Sequence, residues 1–225
     1  MAKATRYFEW QARLLGPALG RRVIEVGCGI GSFTAHLSDR EAVLATDSSA
    51  EMVDRTRART AAFANVSVKT VDVMSPDFLT LRDWSADSCA ALNVLEHIGD
   101  DRAAVKQMAA VLKEGGRLAL FVPASPRLYG PVDANLGHVR RYTKDRVMSL
   151  VRDAGLVVEN VRRVNGIGFF GWWLNAKVLR LKELPSGQIR FFDGWIVPWL
   201  EPIERVFEPP AGQSILLLAR KDRAG

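Results

Sequence analysis

The feature that most constrains the fold is a glycine-rich loop directly after a short apolar run. Residues 23–31 read Val-Ile-Glu-Val-Gly-Cys-Gly-Ile-Gly, which predicts a β-strand that runs into Gly27, Gly29 and Gly31. Glycine adopts backbone angles closed to other residues and lets the main chain approach a ligand without a Cβ in the way. In an open α/β sheet such a loop lies beyond the carboxyl ends of the strands, where ligands bind. The loop therefore predicts a nucleotide-like ligand on a parallel sheet.

Short apolar runs alternate with longer helix-like segments along the chain, which is typical of a parallel sheet covered on both faces. Predicted strands lie at 22–26, 42–46, 66–71, 88–92, 117–122, 156–164 and 214–220. Predicted helices lie at 7–15, 32–38, 50–61, 101–112 and 143–153, with a weaker one at 76–82. We therefore predict an α/β fold, a Rossmann-like, doubly wound, mostly parallel sheet of seven strands.

The length of 225 residues predicts one domain with three parts. We expect an N-terminal cap helix at 1–20, a cofactor-binding half at 21–122 and a substrate-side half at 123–225. The last part contains a helical insertion at about 165–213 with four of the six tryptophans and five of the ten phenylalanines. Such a segment forms either a packed cover over a sheet edge or a hydrophobic substrate lid, because each buried ring brings a large apolar area.

Charge and cysteine content set expectations for location and partners. The net charge is +6, but the basic residues occur mostly as scattered pairs, which favours a solvated surface over a nucleic-acid site. Cys28 and Cys89 are predicted to be free thiols in a reducing compartment. With no secretory signal and no spanning run, the chain is predicted to be cytoplasmic. Peripheral contact with a membrane stays open, since tryptophans and basic residues suit that interface. The sequence predicts no oligomeric state.

Two nucleotide ligands compete for the glycine loop. A dinucleotide loop has the pattern G-x-G-x-x-G, and counted from Gly27 the third glycine position falls on Ser32. The chain instead has E-x-G-x-G-x-G, with Glu25 two residues before the first glycine. S-adenosylmethionine (SAM) has no pyrophosphate but carries an α-ammonium group, which suits a nearby carboxylate. The loop therefore favours SAM.

Two further acids end the next two predicted strands. Asp47 follows the loop by about twenty residues, where a carboxylate can accept both ribose hydroxyls, although this position alone would also fit NAD. Asp72 is placed to bind the adenine amino group. Three acids at three successive strand ends predict one SAM footprint, whereas any one alone is more often a turn residue.

The stretch from about Val23 to Val122 resembles the class I SAM-dependent methyltransferases, in particular the broad group related to ubiquinone-biosynthesis O-methyltransferases. The motifs that carry the resemblance are VIEVGCGIGSF at 23–33, ATDSSAEMV at 45–53, VDV at 71–73, LNVLEHIGDD at 92–101 and LKEGGRLALFVP at 112–123. It implies a SAM site, with S-adenosylhomocysteine as product, bordered by ten residues: Glu25, Gly27, Cys28, Gly29, Asp47, Ser48, Met52, Asp72, Val73 and Asn93. It also implies that Tyr7 or Phe8 closes over the site.

Candidate catalytic and acceptor-binding residues follow the fourth and fifth predicted strands. His97 and His138 are candidate general bases. Arg140, Arg141 and Tyr142 are candidate contacts to the acceptor. The alternative is structural: His97 caps a helix and the arginines attach the long loop to the domain. We predict no metal site, because the sequence has only three histidines and no acids at ligand spacing.

The predicted function is methyl transfer to a small hydrophobic, aromatic or lipid-like acceptor, with O-methylation by in-line displacement expected. The N-P-P-[YF] signature of adenine and glutamine N-methylation is absent after the fourth strand, where Asn93-Val94-Leu95-Glu96 stands instead. Two alternatives remain: another SAM-dependent alkyl transfer or cyclisation on the same fold, and an RNA-associated SAM-binding module.

Overall fold

A computed structural model describes residues 5–222, apart from the side chains of Glu201 and Arg205. The strands are β1 (Arg22–Val26), β2 (Ala42–Asp47), β3 (Val66–Thr70), β4 (Ala86–Leu92), β5 (Leu112–Pro123), β6 (Leu156–Val164) and β7 (Ser214–Lys221). The helices are α1 (Thr5–Leu15), α2 (Ala50–Thr60), α3 (Asp101–Ala110), α4 (Pro131–Asn135), α5 (Lys144–Asp153), α6 (Gly166–Trp173), α7 (Ser186–Phe191) and α8 (Val197–Val206). No helix within the described range is long and apolar enough to cross a membrane.

The seven strands form one sheet in the order β3-β2-β1-β4-β5-β7-β6. Strands β1 to β5 are parallel, and β7 runs antiparallel between β5 and β6. The strand order reverses beside β1, which pairs with β2 on one side and β4 on the other. The predicted Rossmann-like, mostly parallel sheet is confirmed, and the glycine loop leaves β1 at the point where ligands bind in such sheets.

Two apolar clusters cover the two faces of the sheet, which explains why its central strands are apolar throughout. One cluster includes Met108 and Val147 from the helices and Leu118 from β5. The other includes Trp10 from α1 and Phe121 from the opposite face of β5. The aromatic and the aliphatic side chains of both clusters are buried. The burial of this apolar surface therefore stabilises the packing of the helices on each face of the sheet.

Several predicted boundaries differ from the structure. The segment at 32–38 forms only the 3₁₀ turn Thr34–Leu37, and the one at 76–82 is the 3₁₀ stretch Pro76–Trp84. Gly31, directly before the first of these segments, has a φ of 74°, outside the helical region, so no helix extends into the segment from the glycine loop. The predicted loop after β5 contains another 3₁₀ turn at Pro126–Leu128 and the helix α4.

The predicted bounds of the helix at 101–112 and of the strand at 117–122 also differ from the structure. Helix α3 ends at Ala110 and β5 already begins at Leu112. The pairing of β4 with β5 shifts register between the pairs Ala86–Leu112 and Ser88–Arg117, so the two glycines lie in a strand irregularity. Glycine suits such a bulge because Gly115 has a φ of 73°.

The aromatic insertion is helical, as predicted, and two buried carboxylates attach it to the domain. Helix α6 continues as a π-turn to residue 178, and a second π-turn joins α7 to α8, giving one continuous helix over 186–206. Glu204 accepts the backbone N–H groups of Asn165 at 2.8 Å and Gly166 at 2.7 Å. Asp193 accepts the N–H of Tyr7 at 2.9 Å, which connects the insertion to α1.

Candidate active site

A cavity of about 620 Å³ lies at the carboxyl end of the sheet. One end is formed by the glycine loop and the ends of β1 and β4, and the other by α4 and the aromatic insertion. Helix α1 contributes Tyr7 and Phe8 to its wall. The volume falls in the range of small-molecule sites, and its walls are mostly apolar with a few polar groups.

The glycine loop has a backbone conformation that depends on its glycines. Gly27 has a φ of 71°, and a Cβ at this position would lie 2.4 Å from the Cγ2 atom of Val94. A Cβ on Gly29 would instead point into open space beside the cavity, where φ is 54°. Two hydrogen bonds to β2 fix the loop in place. Gly29 N–H donates to Asp47 Oδ2 at 2.9 Å, and Cys28 N–H donates to Thr46 O at 2.9 Å. The loop is therefore preorganised for a ligand that approaches its backbone.

Glu25 is a buried carboxylate at the floor of this end of the cavity. Its side chain is 3% exposed, and Oε2 has no hydrogen-bond partner. Burial, together with the nearby charge of Asp47, raises the pKa of Glu25 to about 7, although a hydrogen bond with Thr34 acts in the opposite direction. An unpartnered buried carboxyl that lines a cavity is suited to receive a positively charged or hydrogen-bond-donating group of a ligand.

Asn93 follows β4 on the opposite side of the glycine loop. Its backbone is left-handed, with a φ of 54°, and its N–H donates to Phe121 O at 2.8 Å. Asparagine tolerates this conformation better than most residues. The turn directs the chain so that Asn93 borders the cavity beside the loop.

Four predicted cofactor residues and Asp47 surround the ends of β2 and β3, outside the enclosed cavity. Asp47 Oδ1 accepts the N–H of Ser49, and Asp72 Oδ1 accepts that of Met74 at 2.8 Å, so both carboxylates also stabilise turns. Ser48 and Asp72 are exposed, and Met52 is half-buried. Val73 is 5% exposed and belongs to the core. Their roles toward adenosine stay predictions.

Tyr7 from α1 closes the cavity from above. Its ring lies 5.3 Å from that of Trp10 and 6.5 Å from that of Phe192, measured between centroids. Burial raises the pKa of Tyr7 to about 12, so the hydroxyl stays protonated near neutral pH. Helix α1 therefore joins the cofactor end of the cavity to the insertion.

Asp133 organises the polar wall of the cavity. Its Oδ1 lies 2.9 Å from His138 Nδ1 and accepts Arg141 Nε–H at 2.8 Å, while Oδ2 accepts the N–H of Gly130 at 3.0 Å. The Arg141 guanidinium also lies over the Trp172 ring at 4.5 Å. With Nδ1 bonded to a carboxylate, His138 has its other ring nitrogen, Nε2, available to accept a proton.

Glu96 and His97 lie on the other side of His138. The His97 and His138 rings meet edge-to-face at 4.8 Å. Glu96 is fully buried, and both of its carboxylate oxygens lack hydrogen-bond partners; Oε1 is 3.9 Å from His138 Nε2. Burial raises the pKa of Glu96 to about 8 and lowers that of His97, where the neighbouring His138 acts in the same direction.

These three side chains also form a group that could hold a cation. The potential ligand atoms of Glu96, His97 and His138 all lie within 4.8 Å of one another. The sequence prediction of no metal site did not consider this group, because His138 is far from His97 in sequence and reaches it only through the fold. Two imidazoles and a carboxylate are ligands of divalent transition metals.

The structure assigns structural roles to two predicted acceptor-binding residues. Tyr142 is fully buried, and its hydroxyl donates to Leu95 O at 3.0 Å and lies 3.0 Å from Asp101. Arg140 pairs with Asp101 at 2.8 Å and donates to Gly99 O at 2.7 Å. Neither lines the cavity, so the structure gives no support to their predicted acceptor contacts, which stay predictions. Both attach the loop after β5 to the start of α3.

Three residues of the site were not predicted from the sequence. Asp133 and Glu96 are buried behind the cavity wall, where they contact or face His138. Asp133 lies in α4, within a segment that was predicted to be a loop. Asn165, whose φ is 62°, lines the cavity, and the turn signal Asn165-Gly166 could have marked it as a special position.

The residues present fit SAM. The unpartnered Glu25 oxygen suits the α-ammonium group, and the open space beside Gly29 lets a ligand contact the loop backbone. Asp47, at the end of β2, is at the position where a carboxylate binds ribose hydroxyls in such folds. When bound, SAM supplies an electrophilic methyl group.

Comparisons with known proteins agree with this geometry. Residues 24–118, just under half of the chain, match the family described as Methyltransferase domain. The 27-O-demethylrifamycin SV methyltransferase of Amycolatopsis mediterranei is 30% identical over 174 residues, which cover 72% of this chain and 63% of that protein. The ubiquinone biosynthesis O-methyltransferase of Xanthomonas axonopodis pv. citri is 28% identical over 190 residues, covering 78% and 77%.

The fold is shared along nearly the whole chain. The N-methyltransferase NodS of Bradyrhizobium japonicum, solved with S-adenosylhomocysteine, superposes with a TM-score of 0.60 at 15% identity, covering 97% of this chain and 86% of NodS. In length, the chain spans 47%, 56% and 63% of three curated relatives. Residues 24–118 are therefore a methyltransferase domain similar to those of SAM-dependent methyltransferases, among them the ubiquinone-biosynthesis O-methyltransferases, and the predicted cofactor SAM is confirmed.

Proposed function

We propose that the protein transfers a methyl group from SAM to a small hydrophobic acceptor and that the accepting atom is a hydroxyl oxygen. The observation that carries this proposal is the continuous cavity that joins the glycine loop to an apolar chamber under the insertion. A polar wall with His138 lies between the two ends. Methyl transfer needs this arrangement, because the acceptor must lie in line with the methyl group and water must be excluded.

The chamber supports an aromatic or lipid-like acceptor. Val132, Trp172, Ile189 and Phe192 line it, and these side chains favour apolar rings and chains over charged compounds. The names of the two relatives are consistent with this, since one names 27-O-demethylrifamycin SV and the other O-methylation in ubiquinone biosynthesis. A small-molecule acceptor is therefore proposed in preference to nucleic acid, and a cytoplasmic location is part of the proposal.

In the proposed mechanism His138 acts as general base. SAM, held by the glycine loop and Glu25, would supply the electrophilic methyl group for the acceptor oxygen, and His138 Nε2 would accept the proton of the acceptor hydroxyl. Asp133 holds the Nδ1–H of His138 and stabilises the imidazolium that results. Arg141, paired with the same carboxylate, keeps Asp133 ionised and fixed in place.

The proposed function is tested with SAM labelled with tritium in the methyl group. The protein is incubated with a panel of alkyl-substituted catechols, phenols and hydroxylated polyketides, and label is counted after extraction into organic solvent. We expect label in the organic phase and an equal amount of S-adenosylhomocysteine. A product formed without S-adenosylhomocysteine indicates cyclisation, and label only in added RNA indicates a nucleic-acid acceptor; either result contradicts the proposal.

A further inference from the structure

The insertion exposes an unusual amount of apolar surface. Seventeen large hydrophobic side chains are exposed among the described residues, and twelve of them lie between Ile167 and Phe207. Soluble proteins rarely expose apolar patches of this size unless they bind something there. The insertion therefore carries more apolar surface than its packing against the domain uses.

The exposed side chains follow helical periodicity on the continuous helix over 186–206. Phe191, Trp195, Trp199 and Ile203 are spaced four residues apart, and each is more than half exposed. Residues four apart lie on one face of a helix. The opposite face is already used, because Val197 and Leu200 are buried in the cluster with Trp10. The helix thus has one apolar face that packs on the domain and a second apolar face whose side chains are mostly exposed to solvent.

The other helix of the insertion, over 166–178, repeats this arrangement. Its inner face buries Trp172 and Ala176 against Leu128 and Val132. Its exposed apolar residues are spaced three and four apart: Ile167, Phe170, Leu174 and Val178. Both helices therefore present an unpartnered apolar face, rich in tryptophan and phenylalanine.

Basic side chains border these faces. Lys177, Arg180, Lys182 and Arg190 are exposed, whereas Glu183 is the exposed acid of the stretch 166–200. Glu208, which follows the second helix, is also exposed but is paired with Lys144 and Arg163. The other acid of that stretch, Asp193, is buried and accepts backbone N–H groups of α1. An apolar, aromatic face with a positive border is complementary to the surface of an anionic bilayer, where rings enter the interface and cations meet lipid phosphates.

We propose that the outer faces of the two insertion helices dock the protein on an anionic membrane. The inner faces of the same helices line the cavity through Trp172, Ile189 and Phe192. Docking therefore brings the apolar chamber next to the bilayer, and a lipid-soluble acceptor can enter it without crossing water. The entry of a lipid-soluble acceptor rests on the proposed function and identifies the acceptor as a compound dissolved in the bilayer. The docking on the membrane does not depend on the proposed function.

Docking is tested by co-sedimentation of the protein with vesicles, without SAM or acceptor. Vesicles of phosphatidylcholine alone are compared with vesicles that also contain phosphatidylglycerol. We expect strong binding to the anionic vesicles and a roughly tenfold or larger loss of partitioning for the double variant Trp195→Ser, Trp199→Ser. The matched control, Val139→Ser with Val157→Ser, removes exposed apolar groups elsewhere and should bind as the unaltered protein does.

The charged border is tested by Arg190→Glu, which should weaken binding to the anionic vesicles and leave binding to phosphatidylcholine unchanged. Circular dichroism melting checks that the variants fold, which is expected because the replaced side chains are exposed. No binding to anionic vesicles, or equal binding by the tryptophan variant, overturns the proposal. A dimer that light scattering detects and the tryptophan double variant abolishes, without vesicle binding, would assign the face to a second copy instead. Failure of methyl transfer alone leaves the docking result intact.

Discussion

Two buried carboxyls in the candidate site have oxygens without hydrogen-bond partners, Oε2 of Glu25 and both oxygens of Glu96, an arrangement that opposes stability and therefore indicates function. Glu25 faces the cofactor end of the cavity and Glu96 faces His138. A carboxyl whose pKa is higher in the folded than in the unfolded state contributes most stability below its ordinary pKa and loses that contribution as pH rises to the raised value. For Glu25 this window runs from 4.5 to about 7. If stability were the only requirement, an uncharged residue would be favoured at position 25.

Replacing Glu25 tests this conflict between stability and ligand binding. At pH 8, Glu25→Gln should stabilise the ligand-free protein, by at most about 3 kcal/mol, because it removes the cost of ionising a buried carboxyl. It should weaken S-adenosylhomocysteine binding roughly ten- to a hundredfold, because a charge-assisted hydrogen bond is lost. Urea unfolding and calorimetry measure the two effects. Unchanged affinity would remove Glu25 from the cofactor site.

The pH dependence of ligand binding provides a second test of Glu25. If only the ionised carboxyl binds the α-ammonium group, affinity for S-adenosylhomocysteine should fall about tenfold between pH 8 and pH 6, as the group takes up a proton below its pKa of about 7. The Gln variant should lack this dependence. A wild-type affinity that is flat over this range would contradict the raised pKa or the contact.

His138 is the residue whose loss should affect chemistry and leave cofactor binding unchanged. With an acceptor identified by the labelled screen, His138→Ala should lower kcat roughly 10²- to 10⁴-fold, the usual contribution of a general base. Affinity for S-adenosylhomocysteine should stay within about twofold. His36→Ala is the control, because His36 lies in the turn after the glycine loop and does not line the cavity. An equal loss of kcat in both variants would indicate a structural effect.

At the scale of elements, the insertion is attached to the sheet mainly through backbone groups at the end of β6. The turn Asn165-Gly166 donates two N–H groups to one buried carboxylate, that of Glu204 on α8. Asn165 also donates to Gln213 at 2.7 Å, just before β7 begins. Both ends of the insertion are thereby held at one point, so the helices have a fixed position over the cavity.

Removing this attachment should destabilise the protein. Glu204→Gln replaces an oxygen that accepts a backbone N–H with an NH₂ group that cannot, leaving a buried donor unpaired. We expect a loss of about 1–3 kcal/mol in the free energy of unfolding, measured in urea. Glu114→Gln, at an exposed site, should change stability by less than about 0.5 kcal/mol. Equal stability of the two variants would show that Glu204 does not fix the insertion.

At the scale of the whole molecule, the sequence predicted the sheet well because a parallel sheet has a strong local signature. Each buried strand is a short apolar run, and the acids Asp47 and Asp72 end two of them. The polar wall was not predictable in the same way, because Glu96, Asp133 and His138 meet only through tertiary structure. The hydrogen bond of Tyr142 to Asp101 was not predictable for the same reason, because the two residues meet only in the folded chain.

Cofactor binding should stabilise the entire fold, because its site joins strands, loop and cap helix. At a concentration one hundred times its dissociation constant, S-adenosylhomocysteine should add about 2.7 kcal/mol to the free energy of unfolding. For a chain of this length, that corresponds to a rise in Tm of roughly 5 to 10 °C. Asp47→Ala should largely abolish the rise in a thermal-shift assay, since it removes the predicted ribose contact and the hydrogen bond to Gly29. A full shift in that variant would refute the assignment of Asp47.

The central position of β7 has a consequence for how the protein is made. Residues 214–221 lie between β5 and β6, although they are synthesised after both of these strands. While the ribosome still holds this segment, the nascent chain has an open gap in its sheet, and the end of the insertion at residue 213 is not yet attached to a strand. A chaperone would therefore meet the aromatic helices in their least protected state at this stage, and the sheet can close only after residues 214–221 have left the ribosome.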